Sequence, residues 1–205
     1  MLSIIVAAGW PVWPLLLCSV LAVALSLERW MQLRTQRVVP AGLLESSIAT
    51  SQQQWPTREQ IDDLARSSGL GAVLASGFRC LSEQPHCEEA VLRWQMESTG
   101  RAVAHRLERF LPALATLASI APLLGLLGTV VGMIEIFGAH QANTNQPAQL
   151  AHGISVALYN TAFGLVIAIP ALLFWRYFRA RVDRHLLAME VAADRFAHHL
   201  AKLRR

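Results

Sequence analysis

Ala121-Pro122-Leu123-Leu124-Gly125-Leu126-Leu127-Gly128-Thr129-Val130-Val131-Gly132-Met133 decides how this chain is read. It lies in an apolar segment with no charged residue from Phe110 to Ile134, long enough to cross a bilayer. A simple anchor needs only large apolar side chains. This one carries a proline, three glycines and a threonine. In hydrocarbon, such residues serve close helix contact or a polar pathway.

Two further segments have the same character. One runs from about Ile4 to Leu27, with Trp10 and Trp13 near its start and Glu28-Arg29-Trp30 closing it. The other runs from Gly153 to Trp175 and is ended by Arg176. About 20 apolar residues suffice for a hydrocarbon core of about 30 Å, and each segment exceeds that length. Aromatic residues at the span ends suit the interface. Ala22-Val23-Ala24 resembles a signal-peptidase site, yet basic residues follow the first span instead of preceding it, so a retained span is expected.

Composition agrees. Hydrophobic residues make up 54% of 205 positions and charged residues 16%; mean hydropathy is +0.37. That balance suits a multispanning membrane protein. The net charge of +4 is not a nucleic-acid footprint, because it is distributed by topology. No Lys or Arg occurs in residues 1–27 or 110–175; all 18 lie between Arg29 and Arg109 or from Arg176 onward. The positive-inside bias puts the N-terminus outside and the C-terminus inside. The expected organisation is transmembrane helix 1 over 1–27, a cytoplasmic helical domain over 28–109 and transmembrane helix 2 over 110–137. A periplasmic loop over 138–152, transmembrane helix 3 over 153–175 and a cytoplasmic C-terminal helix over 176–205 follow. The fold class is an all-α integral membrane protein with two spans prolonged into a cytoplasmic helical bundle.

Within residues 28–109, Thr35 to Pro40 reads as a linker. Trp55-Pro56-Thr57 starts a helix with Glu59 in its first turn, and Ser67-Ser68-Gly69 is a break. From about Glu88 the pattern is helical: Val91, Trp94, Ser98, Ala102, His105 and Phe110 recur at helical intervals, and the helix is expected to run on into span two. After span three, Val182, Leu186, Met189, Ala193, Phe196, Leu200 and Leu203 form an apolar stripe suited to packing in a helical bundle. His198-His199 reads as a solvated helix surface. Cys80 and Cys87 do not have the ligand number or spacing of a zinc site, so no metal and no cofactor is expected.

Both later spans carry a stripe without bulk. Ala118, Ala121, Gly125, Gly128 and Gly132 recur every three or four residues in one; Gly153, Ala157, Thr161, Gly164, Ala168 and Ala171 do so in the other. Tight helix packing accounts for the glycines by itself. Thr129 and Thr161 add hydroxyls. The spans run oppositely, and Thr129 lies five residues inside Ile134 while Thr161 lies eight inside Gly153. At about 1.5 Å per residue their depths differ by roughly 5 Å. A threonine hydroxyl often bonds its own helix backbone, whereas the Asn160 carboxamide needs partners in lipid. No Asp, Glu, Lys, Arg or His lies within the uninterrupted runs 4–27, 110–134 and 153–175, so a proton path here needs its titrating group from another chain. The same absence argues against an intramembrane hydrolase, which needs a Ser/His or Asp pair.

The Ala121–Met133 run, with Gly153-Ile154-Ser155-Val156-Ala157-Leu158-Tyr159-Asn160-Thr161-Ala162-Phe163-Gly164-Leu165 and Ile167-Ala168-Ile169-Pro170, resembles the MotA/TolQ/ExbB proton channel family, and most of all its ExbB branch. The opening Gly9-Trp10-Pro11-Val12-Trp13-Pro14-Leu15 and Glu28-Arg29-Trp30 are also similar to it. The resemblance covers nearly the whole chain. It implies a three-span subunit of a Gram-negative inner membrane, N-terminus periplasmic, that assembles with itself as a pentamer. Single-span ExbD-type partners, whose membrane aspartate takes the proton, sit within, and the complex energises a TonB-type protein that drives outer-membrane receptors. The family's pore threonines match Thr129 and Thr161, with Asn160 beside the second. Gly125, Gly128, Gly132, Ala157, Gly164 and Ala168 take packing roles. Several relatives have glutamate where this chain has Val156, and many have threonine where it has Asn160. A TolQ-type subunit serving the Tol-Pal system, or a passive membrane scaffold, is the alternative. The MotA branch, with a fourth span and a larger charged cytoplasmic domain, fits less well. No enzymatic activity is implied.

Overall fold

The computed structural model describes residues 10–140 and 147–203, with side chains for 10–138 and 153–203. The first residues of the expected span one, residues 141–146 of the 138–152 loop and the final Arg204-Arg205 lie outside the described residues, and the rest of that loop is helical. Every described element is a helix: α1 (Val12–Gln32), α2 (Thr35–Val38), α3 (Leu43–Gln53), α4 (Arg58–Ser67), α5 (Gly69–Glu83), α6 (Glu89–Glu108), α7 (Leu111–His140) and α8 (Pro147–Leu203). Three helical stretches, one in each expected span, are long and apolar enough to cross a membrane. The chain divides into two compact units.

The first unit comprises residues up to Glu28 and Phe110–Tyr177. Its packing departs from that of a soluble bundle: Leu15, Leu111 and Leu114 are buried, but the row where α7 meets α8 is small and many large apolar side chains face outward. On α7 the buried row includes Ala118, Ala121, Gly125 and Gly128; on α8 it includes Ala157, Asn160, Gly164, Ala168 and Ala171. Leu123, Val130, Ile134, Leu158, Val166 and Leu173 are exposed. With apolar solvent outside, association gains little from hiding leucines and depends on close packing, which small residues allow. Pro122 and Pro170 sit inside α7 and α8 without ending them.

The second unit comprises Arg29–Arg109 and Phe178–Arg205. It is packed in the ordinary sense around α5, where Leu70, Val73, Leu74 and Phe78 are almost fully buried. Two caps start α4 and α5: the first at the helix start expected at Thr57, the second within the expected break at Ser67-Ser68-Gly69. Thr57 and Gln60 form a reciprocal capping box, and the Ser68 hydroxyl accepts from Gly71 N–H at 2.9 Å. Gly71 is required there, since a Cβ would lie 2.3 Å from the Leu64 carbonyl oxygen. Phe78 meets Trp55 and Phe196 edge-on, at centroid distances of 5.4 and 5.0 Å. Met189, Phe196 and Leu200 of the stripe on α8 join this core, while Leu203 is exposed.

Four details sharpen or differ from the sequence reading. Thr35–Val38 of the expected linker forms a single helical turn. The row Val91–Trp94–Ser98–Ala102–His105 does not face the core: Val91, Trp94, Ala102 and His105 are exposed, and Leu92, Met96 and Val103 are buried instead. Two rows one position apart both step at helical intervals, and only the neighbouring elements choose between them. A turn at Arg109-Phe110 interrupts the ladder, but Arg109 keeps helical dihedrals of φ −44° and ψ −41° and Glu89–Gly138 forms one helical stretch, as expected. Pro112 has no N–H to give the Glu108 carbonyl, which weakens the ladder at that point. His199, read as solvated, is half-buried with its Nε2 3.0 Å from the Ser51 hydroxyl oxygen.

Candidate functional site: the seam between α7 and α8

The small residues of α7 and α8 meet in an antiparallel register that can be followed residue by residue. A Cβ added at Gly153 would meet Ile136, one at Gly132 would meet Ala157, and one at Gly128 would meet the Asn160 side chain. A Cβ at Gly125 would lie 2.7 Å from the Asn160 carbonyl oxygen and 3.0 Å from Thr161 Cα, and one at Gly164 would lie 2.6 Å from the Ala121 carbonyl oxygen. Backbone touches backbone along this line, so glycine is needed at Gly125 and Gly164 for space rather than for unusual dihedrals. Ala157 and Ala168, both buried, continue the row.

Close approach brings a polar contact with it. The Thr161 hydroxyl donates across the seam to the Gly125 carbonyl oxygen at 3.2 Å. That carbonyl already serves the α7 ladder, and its second lone pair is reachable because Gly125 has no side chain. Asn160 is 2% exposed, with its side chain against Gly128. Thr129 behaves differently. Its hydroxyl donates to Leu126 O in its own helix at 2.7 Å, and its side chain is half-exposed at the edge of the seam. The two threonines therefore bond the carbonyls of consecutive residues, Gly125 and Leu126. They share a level along α7 but do not bond each other.

No Asp, Glu, Lys, Arg or His lies within 12–27, 111–134 or 153–175. Glu135 is exposed on α7, which continues to His140. The seam thus holds hydroxyl, carboxamide and backbone groups but no side chain able to carry a proton as a titrating acid at neutral pH. Ser119 and Thr116, also on α7, are exposed and bond carbonyls of their own helix.

Two polar residues of the second unit, Arg29 and His185, are buried without a sign of it in the sequence. Arg29 is 1% exposed; its guanidinium donates to Leu107 O at 2.9 Å and to Gln32 Oε1 at 2.8 Å. It brings a cation to the last turn of α6, where unpaired carbonyls and the helix dipole favour one. His185 is also buried, its Nε2–H donating to Leu33 O at 3.2 Å. Burial lowers its pKa from the ordinary histidine value. The Leu33 carbonyl opposes that shift, and the Arg181 and Arg184 charges add to it. In sequence, Arg29 reads as a span-end charge and His185 as one polar residue in a basic stretch, so neither advertises its burial.

The sequence profile of the MotA/TolQ/ExbB proton channel family matches residues 65–191, which include both sides of the seam. The chain is 33% identical over 190 residues to the biopolymer transport protein exbB1 of Vibrio cholerae, covering 89% of this chain and 80% of that protein. It is 34% identical over 140 residues to the Tol-Pal system protein TolQ of Pseudomonas aeruginosa, covering 63% of this chain and 59% of the relative. It is 37% identical over 103 residues to the biopolymer transport protein ExbB of Salmonella typhimurium, covering 49% and 42%. With a seam of small residues, hydroxyls and no charge at the centre of the matched region, the chain belongs to the MotA/TolQ/ExbB proton channel family.

Proposed function

We propose that this chain is the channel-forming subunit of an ExbB-type complex that uses the proton motive force to energise transport through outer-membrane receptors. The observation that carries the reading is the contrast within the apolar helices. Thr161, Asn160 and Thr129 put polar groups at one level of α7 and α8, while residues 111–134 and 153–175 contain no Asp, Glu, Lys, Arg or His. Such a lining hydrates and guides a proton without storing it. The acid that takes the proton then belongs to a partner: a single-span ExbD-type subunit with a membrane aspartate, held within a pentamer of this chain and coupled to a TonB-type protein. Protonation neutralises that aspartate, which moves past the hydroxyls. The charge distribution supports an inner-membrane orientation with the N-terminus periplasmic.

Match length does not separate the branches: coverage of this chain is 89% for exbB1, 63% for the TolQ relative and 49% for the Salmonella ExbB. A TolQ-type role in the Tol-Pal system is the second reading, and rescue of an ExbB-deficient or a TolQ-deficient strain separates the two. The channel role is tested by Thr161→Val, which keeps the side-chain shape and removes the hydroxyl. Assembly should persist while receptor-driven uptake falls to background, and Thr161→Ser should restore it. Full uptake by both Thr129→Val and Thr161→Val removes the threonines from the proton path and leaves a passive scaffold.

A further inference from the structure

Cys80 stands in the last turn of α5, and Cys87 lies in the turn before α6. Gln84 N–H donates to Cys80 O at 2.9 Å and Cys87 N–H to Gln84 O at 3.0 Å, which folds the chain back on itself. The two Sγ atoms are 3.5 Å apart. A disulfide needs them about 1.5 Å closer, and residues 84–88 lie outside any helix, so side-chain rotation and a small turn adjustment are available. Cys80 is partly exposed and Cys87 is 7% exposed. Among the described residues no third His, Cys, Asp or Glu joins them in a group able to hold a metal ion. What remains for two adjacent sulfurs is thiol chemistry.

We propose that Cys80 and Cys87 form a reversible dithiol–disulfide couple that exchanges with low-molecular-weight disulfides and, when oxidised, staples the end of α5 to the start of α6. The accessible Cys80 thiolate attacks one sulfur of the small disulfide. That S–S bond breaks, and one small thiol leaves with the proton lost by Cys80. Cys87 then attacks Cys80 Sγ and gives up its own proton to the second departing thiol. Two protein S–H bonds are replaced by one S–S bond, and the oxidant is reduced to two thiols. Burial first, then the hydrogen bond and charge of Cys87 and the charge of Glu83, push the Cys80 thiol up to about 11. Thiolate is scarce at neutral pH, so the pair reacts slowly unless the small disulfide is in excess.

The test uses the purified full chain in detergent, exposed to excess oxidised glutathione, acid-quenched, unfolded and labelled with N-ethylmaleimide. Trypsin cleavage after Arg79 and Arg93 places both cysteines on one peptide. The expected product is that peptide lighter by two hydrogens, carrying neither glutathione nor maleimide, and restored by dithiothreitol; Cys18 remains labelled. In Cys87→Ser the glutathione adduct should stay on Cys80. The proposal is overturned if the wild-type peptide carries glutathione on Cys80 and maleimide on Cys87, or if the disulfide links two chains. It is equally overturned if both cysteines stay maleimide-labelled under conditions that fully oxidise a dithiothreitol standard.

Discussion

Alanine placed at Gly125 and at Gly100 should have opposite effects, although both glycines lie inside helices. At Gly125 the new methyl would lie 2.7 Å from the Asn160 carbonyl oxygen, about 0.7 Å short of ordinary contact, and 3.0 Å from Thr161 Cα. These are backbone atoms of α8 and cannot swing aside, so the helices must part. Overpacking of this kind costs about 1–3 kcal/mol. Separation also stretches the Thr161–Gly125 hydrogen bond, already 3.2 Å long, and a bond of this class contributes about 0.6 kcal/mol. Better helix propensity returns at most about 1 kcal/mol. The net expectation is destabilisation by about 1–2 kcal/mol, roughly tenfold in the folding equilibrium. At Gly100 a Cβ meets nothing within 4 Å, so only propensity acts, and Gly100→Ala should stabilise by about 0.5–1 kcal/mol. Far-UV circular dichroism during titration of the detergent-solubilised protein with dodecyl sulfate reads both shifts against wild type. If Gly125→Ala matches wild type, or gains as much as Gly100→Ala, the close backbone seam is wrong.

Two further outcomes follow from the buried polar groups. Because the His185 pKa is lowered on folding, the unfolded chain binds the proton more readily, and stability should fall as pH drops below about 6.5 toward the folded value. His185→Gln keeps a donor for Leu33 O but cannot titrate, so its midpoint difference from wild type should change between pH 7.5 and 5.5; a constant difference refutes the assignment. Arg29→Met keeps bulk but strips the donors to Leu107 O and Gln32, at a cost of about 1–3 kcal/mol. Hydrogen exchange should rise first at the end of α6, and unchanged exchange there would exclude the capping role.

Much of this protein is legible in the sequence because bilayer thickness imposes a length on apolar runs, and the runs at 4–27, 110–134 and 153–175 meet it without a charge. The small-residue rows were equally visible, since one face of a helix is fixed by its period. The caps at Thr57 and Ser68 are local chemistry and could be read locally. Residues 91–105 were less tractable. Periodicity identified a helix but not its inner face, because a shift of one position preserves the period and turns a different row toward the core.

The sequence by itself determined an all-helical chain with three membrane-length apolar helices, uncharged where they carry small and hydroxylated residues. Length, hydropathy and helical period are properties of single segments, and a segment carries them wherever it is placed. Only the tertiary structure decided which groups meet. It set Gly125 against Asn160 and Thr161, turned the Thr161 hydroxyl onto the α7 carbonyl and left the Thr129 hydroxyl on its own helix. It also buried Arg29 and His185 and brought Cys80 to Cys87. A helical period gives direction modulo a rotation about the axis, and that rotation is chosen by the neighbour against which the helix packs.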